Sequence, residues 1–167
     1  MDRVLITGAL GQLGSSLQKV LHQKGDFVIA TDIRYAKKRT ECKFEKLDVL
    51  SYNELYKIVK KYEINVIYHL VAILSAKGEE NPFHSWKINM ETFQNIIDVS
   101  IKCKIKKIFW PSSIAVFGED SNLNLVPQNA YLNPTTIYGV SKIAGEKLMN
   151  YYYHKYKLDI RSLRFPG

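Results

Sequence analysis

A short apolar run, Arg3-Val4-Leu5-Ile6-Thr7, passes straight into Gly8-Ala9-Leu10-Gly11-Gln12-Leu13-Gly14, and helical apolar spacing follows at Leu13, Leu17, Val20 and Leu21. A run that is apolar at nearly every position suits a parallel strand covered on both faces. Strand, glycine-rich turn and helix in that order leave few folds open. The arrangement lets the backbone turn tightly and bring a pyrophosphate against the positive end of a helix. The spacing is Gly-x-x-Gly-x-x-Gly, not Gly-x-Gly-x-x-Gly, so the flanking strand and helix carry the reading.

The rest of the chain repeats the strand–helix alternation. Asp26–Thr31 reads as a second strand ending at Asp32, a carboxylate roughly 20 residues beyond the glycine turn, where one can hold adenosine ribose hydroxyls. A carboxylate there repels a 2′-phosphate and favours NAD over NADP, while Arg34 nearby could bind such a phosphate. Lys43–Leu47 is a third short strand leading to Asp48-Val49, where such folds meet the adenine. Ser51-Tyr52-Asn53-Glu54 has the capping-box pattern and opens a helix to Tyr62 that buries Leu55, Ile58 and Val59. Ile64–Ala72 is a fourth strand rich in β-branched residues, and its His69 reads as a satisfied core residue.

Ile73–Pro82, including Ser75, reads as a polar loop at the ligand-binding edge. A long helix containing Asn89 follows from Phe83 to Lys104, then a fifth strand, Lys107–Trp110, and Pro111-Ser112-Ser113. After a polar loop from Gly118 to Pro134 comes a helix ending near Tyr156, and Leu158–Phe165 is the sixth strand, before Pro166-Gly167. The expectation is an α/β fold: a doubly wound parallel sheet of about six strands, with helices on both faces and right-handed crossovers.

On the last helix Tyr138 and Lys142 stand one turn apart on the same face. An ammonium near a phenol favours the phenolate and lowers its pKa from about 10 toward the range useful for proton transfer. Such a pair on its own is commonly just a solvated helix face, and so is a serine pair in a loop. Their shared position at strand carboxyl ends gives them chemical interest.

Composition narrows the classes further. The chain has 167 residues, 46% hydrophobic and 24% charged, as in ordinary globular proteins. No apolar run approaches the roughly 20 residues that span a bilayer. The N-terminus carries no signal-peptide pattern, and Cys42 and Cys103 lack metal-ligand spacing. We read a cytoplasmic protein, or a mitochondrial matrix protein if a eukaryotic targeting segment has been removed. The net charge of +8 is scattered over Lys37-Lys38-Arg39, Lys60-Lys61, Lys102 to Lys107, Lys155 and Lys157. That dispersal argues against a nucleic-acid surface.

Taken together, Thr7-Gly8-x-x-Gly11-x-x-Gly14, Asp32, Asp48-Val49, Ser113 and Tyr138-x-x-x-Lys142 resemble the extended short-chain dehydrogenase/reductases. Within them, several stretches are similar to the short-chain type of L-threonine 3-dehydrogenase: Gly11–Gly14, Asp32–Arg34, Leu74–Glu79, Trp110–Gly118 and Arg161–Gly167. The resemblance implies a Rossmann-type domain that binds NAD. Gly8, Gly11, Gln12, Leu13 and Gly14 would hold the pyrophosphate, Asp32, Ile33 and Arg34 the adenosine ribose, and Asp48 and Val49 the adenine. Leu70, Val71 and Ala72 would line the nicotinamide side, with Asn89 and Pro166 also at the cofactor.

The resemblance makes Tyr138 the base that takes the substrate hydroxyl proton as hydride leaves. Lys142 would lower the Tyr138 pKa and bond the nicotinamide ribose. Ser113 would orient the hydroxyl, with Ser112 beside it and Ser75 near the amino-acid end of L-threonine; no metal is called for. It also implies a homodimer through the helices around Trp86–Lys104 and Ile137–Tyr156. Relatives continue past the Pro-Gly, so 1–167 would be the dinucleotide-binding domain of a longer enzyme, its C-terminal substrate lobe absent. A catalytically silent NAD-binding module and a sugar-nucleotide epimerase or dehydratase fragment are the alternatives.

Overall fold

The computed structural model describes residues 1–36, 42–118 and 125–166. Strand β1 (Arg3–Thr7) alternates its side chains between two cores, Leu5 on one face and Val4 and Ile6 on the other, each at most 1% exposed. It is the centre of the sheet. Helix α1 (Gln12–Gln23) leads to β2 (Phe27–Asp32), then β3 (Lys43–Lys46), α2 (Tyr52–Lys61) and β4 (Val66–His69). Next come α3 (Ser75–Glu80), α4 (Pro82–Trp86), a π turn at Lys87–Glu91, and α5 (Thr92–Cys103). β5 (Lys107–Phe109), β6 (Ser112–Ser113), α6 (Ile137–Tyr156), β7 (Ile160–Arg161) and β8 (Arg164–Phe165) complete the order.

Six strands form one parallel sheet in the order β3-β2-β1-β4-β5-β7. The order reverses between β1 and β4, and a doubly wound sheet opens its crevice at such a point, beyond the carboxyl ends of the strands. Thr7 pairs with His69 at that edge. A separate parallel pair, β6–β8, sets Ser112 against Arg164 and Ser113 against Phe165.

Several local expectations need correction. Ile73–Pro82 is not simply a polar loop, because Ser75–Glu80 forms α3. The fourth strand is limited to Val66–His69, and the helix expected over Phe83–Lys104 is interrupted by the π turn. The stretch Leu158–Phe165 divides into β7 and β8, which serve different sheets. Ser51 caps α2 without a side-chain hydrogen bond, so the capping box is not formed. On α1, Leu13 and Val20 face solvent, whereas Gln18 is buried and donates to Ala9 O at 2.7 Å. Lys37-Lys38-Arg39, part of the loop after Gly118, and Gly167 lie outside the described residues.

The face under α6 depends on a glycine. A Cβ on Gly145 would lie 2.2 Å from Cη2 of Trp110, a ring that is 1% exposed and stacked on Phe93 at 4.6 Å. The ring has no room to retreat, so Gly145→Ala should destabilise the fold by about 1–3 kcal/mol in urea titrations. An unchanged midpoint would mean the indole can shift at no cost.

Candidate active site

Backbone geometry makes the turn after β1. Gly8 takes φ +74°, and a Cβ there would meet the Leu70 backbone at 3.0 Å. Gly11 N donates to Gly8 O, and a Cβ on Gly14 would lie 2.5 Å from that same oxygen, so α1 can sit this close to the turn only without one. The helix begins at Gly11 with no side-chain cap, so the amides of its first turn, Gln12 and Leu13 among them, are not taken up by a capping side chain.

Asp32 closes the other side. Its Oδ2 accepts from Leu10 N (3.1 Å) and Arg34 Nη2 (3.2 Å), and its Oδ1 from Arg34 N (3.0 Å) and Nε (2.9 Å). Burial alone would raise this carboxyl, but Arg34 and the two backbone donors hold it below the ordinary value. Arg34 is thus already paired to a carboxylate. Gly8, Gly11, Asp32, Ile33, Arg34, Asp48, Val49, Leu70, Val71 and Ala72 line one groove of about 400 Å³, with Lys77, Ile88 and Thr92 contributing to its wall.

Beneath the groove runs a hydrogen-bonded row. His69 is fully buried, with Nδ1 2.7 Å from Thr7 Oγ1 and Nε2 3.1 Å from Thr92 Oγ1. Thr92 gives its proton to Ile88 O at 2.5 Å, so its oxygen accepts from Nε2–H, and Nδ1 accepts from Thr7. Burial, with the positive charge of Lys142 added, brings the imidazole pKa down to about 3 and keeps the ring neutral. The reading of His69 as a core residue holds.

Asn89 is also buried, at 1% exposure, and its amide is taken up by protein. Its Oδ1 accepts from Ile73 N (2.7 Å), while its Nδ2 donates to Ile73 O (3.1 Å) and Ser141 Oγ (3.3 Å). The side chain ties the segment after β4 to α6.

Ser113, Tyr138 and Lys142 come together where β6 meets α6. Burial raises the Tyr138 phenol above its ordinary pKa, and its hydrogen bond with Ser113 offsets only part of that. Lys142 is 1% exposed, and burial brings its ammonium down to about 7. Its Nζ donates to Pro111 O (2.7 Å) and lies 5.2 Å from the Tyr138 ring centre. The expected lowering of the Tyr138 pKa is therefore absent here, since the ammonium rests on a carbonyl rather than at the phenol oxygen.

Ser112 turns away from this cluster. Its Oγ donates to Glu146 at 2.7 Å, and Glu146 takes Arg164 in a two-point pair at 2.9 and 2.8 Å. Sequence reasoning missed this triad, which fixes β8 to α6; no local spacing announces it. Ser75 is the first residue of α3, and Pro166 directly follows β8.

A profile of the NAD-dependent epimerase/dehydratase family matches residues 4–166. The chain belongs to that family. An uncharacterised epimerase/dehydratase of Staphylococcus haemolyticus is 40% identical over 172 residues, which cover 100% of this chain and 54% of that protein. The solved L-threonine dehydrogenase of Clostridium difficile superposes with a TM-score of 0.94 at 41% identity, covering 100% of this chain and 54% of that one. A monomeric L-threonine 3-dehydrogenase from a metagenome database gives a TM-score of 0.94 at 41% identity, with 98% and 53% covered. The chain spans about half the length of the relatives it matches. The family is NAD-dependent, and the glycine turn and the Asp32 carboxylate lie together on the groove. Among the described residues no helix is long and apolar enough to cross a membrane, and no His, Cys, Asp and Glu group could hold a metal.

Proposed function

We propose that this chain forms the NAD-binding and proton-transferring part of an enzyme that oxidises the 3-hydroxyl of L-threonine to give 2-amino-3-oxobutyrate. The juxtaposition of Ser113, Tyr138 and Lys142 where β6 meets α6 carries the reading. The likeness to threonine dehydrogenases in sequence and shape supports the substrate. Gly8, Gly11 and Gly14, with the amides of Gln12 and Leu13, would hold the pyrophosphate. Asp32, Ile33 and Arg34 would hold the ribose, Asp48 and Val49 the adenine, and Leu70–Ala72 the nicotinamide side. When bound, NAD supplies the hydride acceptor.

The protein's part is the proton and the alignment. Ser113 holds the substrate hydroxyl beside Tyr138 Oη, and Tyr138 takes its proton. Lys142, moved within reach of the phenol and still charged, favours the phenolate. Ser75 faces the amino-acid end. Asn89 keeps the Ile73 backbone and α6 at a fixed separation, which matters because misplacement of the reactants is costly.

The test is NADH formation followed by absorbance with L-threonine, and in parallel with UDP-glucose. Threonine-dependent reduction supports the proposal. Reduction or epimerisation with the sugar nucleotide alone replaces it with the epimerase reading, and NAD binding without either turnover leaves a silent binding module.

NAD should bind more tightly than NADP. A 2′-phosphate would meet the Asp32 carboxylate, and the guanidinium able to neutralise it is already engaged with that carboxylate. Fluorescence titration of both cofactors checks this; equal or tighter NADP binding would show that Arg34 leaves Asp32.

Pairing of two copies through the helices around Trp86–Lys104 and Ile137–Tyr156, with Phe83 just before the first, is a further expectation. Phe83 is 90% exposed on α4, and Val140, Tyr151 and Tyr153 are exposed along α6. Light scattering should give twice the chain mass, and Phe83→Asp should return it to one. A clean monomer before mutation, like the metagenomic relative, rejects the pairing.

A further inference from the structure

We propose that Trp110 is the positioning residue for Lys142: its indole holds the lysine ammonium whether or not a cofactor is bound, while the carbonyl of Pro111 receives it in the free chain. The inference rests on Lys142 being the site lysine, and it names what governs that lysine. Lys142 Nζ lies 4.1 Å from the centre of the Trp110 ring and 2.7 Å from Pro111 O. Among the described residues, Pro111 O is its one hydrogen-bond acceptor, far short of an ammonium's three donors. An aromatic face is the remaining way to stabilise a buried cation.

The ring itself is locked. It stacks on Phe93, and Phe93 in turn lies parallel to His69 at an interplanar angle of 7°. Gly145 leaves the space that the indole edge fills. The tryptophan therefore has a fixed place, and a flexible four-carbon side chain is made to end on it. A lysine so held sits ready to exchange the Pro111 carbonyl for a bound ligand's hydroxyl.

The charged and titrating groups around Trp110 separate well. His69, reached through Phe93, stays neutral down to about 3. On α6, Tyr138 is held above the ordinary phenol value by burial. Burial would raise Glu146, but Arg164 on β8 and Ser112 hold it below the ordinary carboxyl value, and Arg164 stays charged. Only Lys142, at about 7, changes charge near neutrality.

The chain has two tryptophans, so Trp86→Phe leaves Trp110 as the sole tryptophan, to be excited selectively over the tyrosines. Its emission should titrate with a midpoint near 7, and adding Lys142→Met should flatten the curve. A flat curve before that change, or a midpoint that survives it, overturns the proposal. A second measurement addresses positioning. The ring favours the charged lysine, so Trp110→Leu should move the pH at which NAD affinity falls downward by about one unit, while Trp110→Phe largely restores it. A merely structural tryptophan would lower the melting temperature and leave that pH unmoved, which rejects the proposal. The emission titration needs no turnover, so a Lys142-dependent midpoint in a chain inert to L-threonine rejects the proposed function alone.

Discussion

Tyr138→Phe should lower threonine-dependent NADH formation by about 10²- to 10⁴-fold, the usual loss for one acid/base group, while NAD affinity stays nearly unchanged. The ring is 9% exposed and packed within the α6 face, so phenylalanine keeps the packing and removes only the titrating hydroxyl and its bond with Ser113. Lys142→Met should show a different pattern. It removes the charge that assists the phenolate and the group proposed to bond the nicotinamide ribose, so rate and cofactor affinity should both fall. If the chain proves silent, the same substitutions belong in a fusion carrying the second half of a full-length relative. Retention of more than about a tenth of the rate in Tyr138→Phe would sink the assignment of the base.

The other large effect is on stability in mild acid. His69 is neutral in the folded chain down to about 3 but takes a proton near 6.5 once unfolded. A folded pKa below the unfolded one means the unfolded state binds more protons between these limits. The histidine's share of the stability is then full above about 6.5 and drains away as pH falls, by about 1.4 kcal/mol per pH unit. Over the whole window the loss is on the order of 4–5 kcal/mol, a large share of a typical domain's stability. Asp32 and Glu146, both held below the ordinary carboxyl range, add their losses only at lower pH. Urea titrations from about pH 6 to about pH 5, below the range in which Lys142 changes charge, therefore read chiefly the histidine. His69→Asn, able to bond both threonines, should be less stable at neutrality yet show a flatter slope. Equal slopes would mean that the ring charges without unfolding the chain.

The parts legible in the sequence were those specified by neighbours along the chain. The Thr7–Gly14 turn, Asp32 at the end of β2, and the one-turn spacing of Tyr138 and Lys142 each need only a short window. Their order alone predicts the parallel sheet. What stayed hidden is decided across the fold. Ser112 and Ser113 are adjacent and chemically identical, yet Glu146 draws one hydroxyl away and the other meets Tyr138. The bracket made by Asn89 was hidden because its partners, Ile73 and Ser141, are 16 and 52 residues distant. Gln18 took a core position that apolar periodicity gave to Leu13 and Val20, since an amide can satisfy the Ala9 carbonyl behind the turn. The effect of Lys142 on Tyr138 was inferred from spacing alone, and Pro111 and Trp110 redirected the ammonium.

The π turn at Lys87–Glu91 has a bearing on how this segment tolerates changes in length. A π turn holds more residues than the 3.6 of an α turn, so it offsets the faces of the helices on either side. That offset lets Phe83 and Trp86 point outward, Asn89 reach Ile73, and Phe93, Ile96 and Ile97 still meet the sheet. Removing one residue would restore a regular helix but rotate one half against the other by about 100°. Either the Asn89 bracket or the buried face of α5 would then be lost. Homologous proteins should vary freely in the identity of the exposed residues here and scarcely at all in their number.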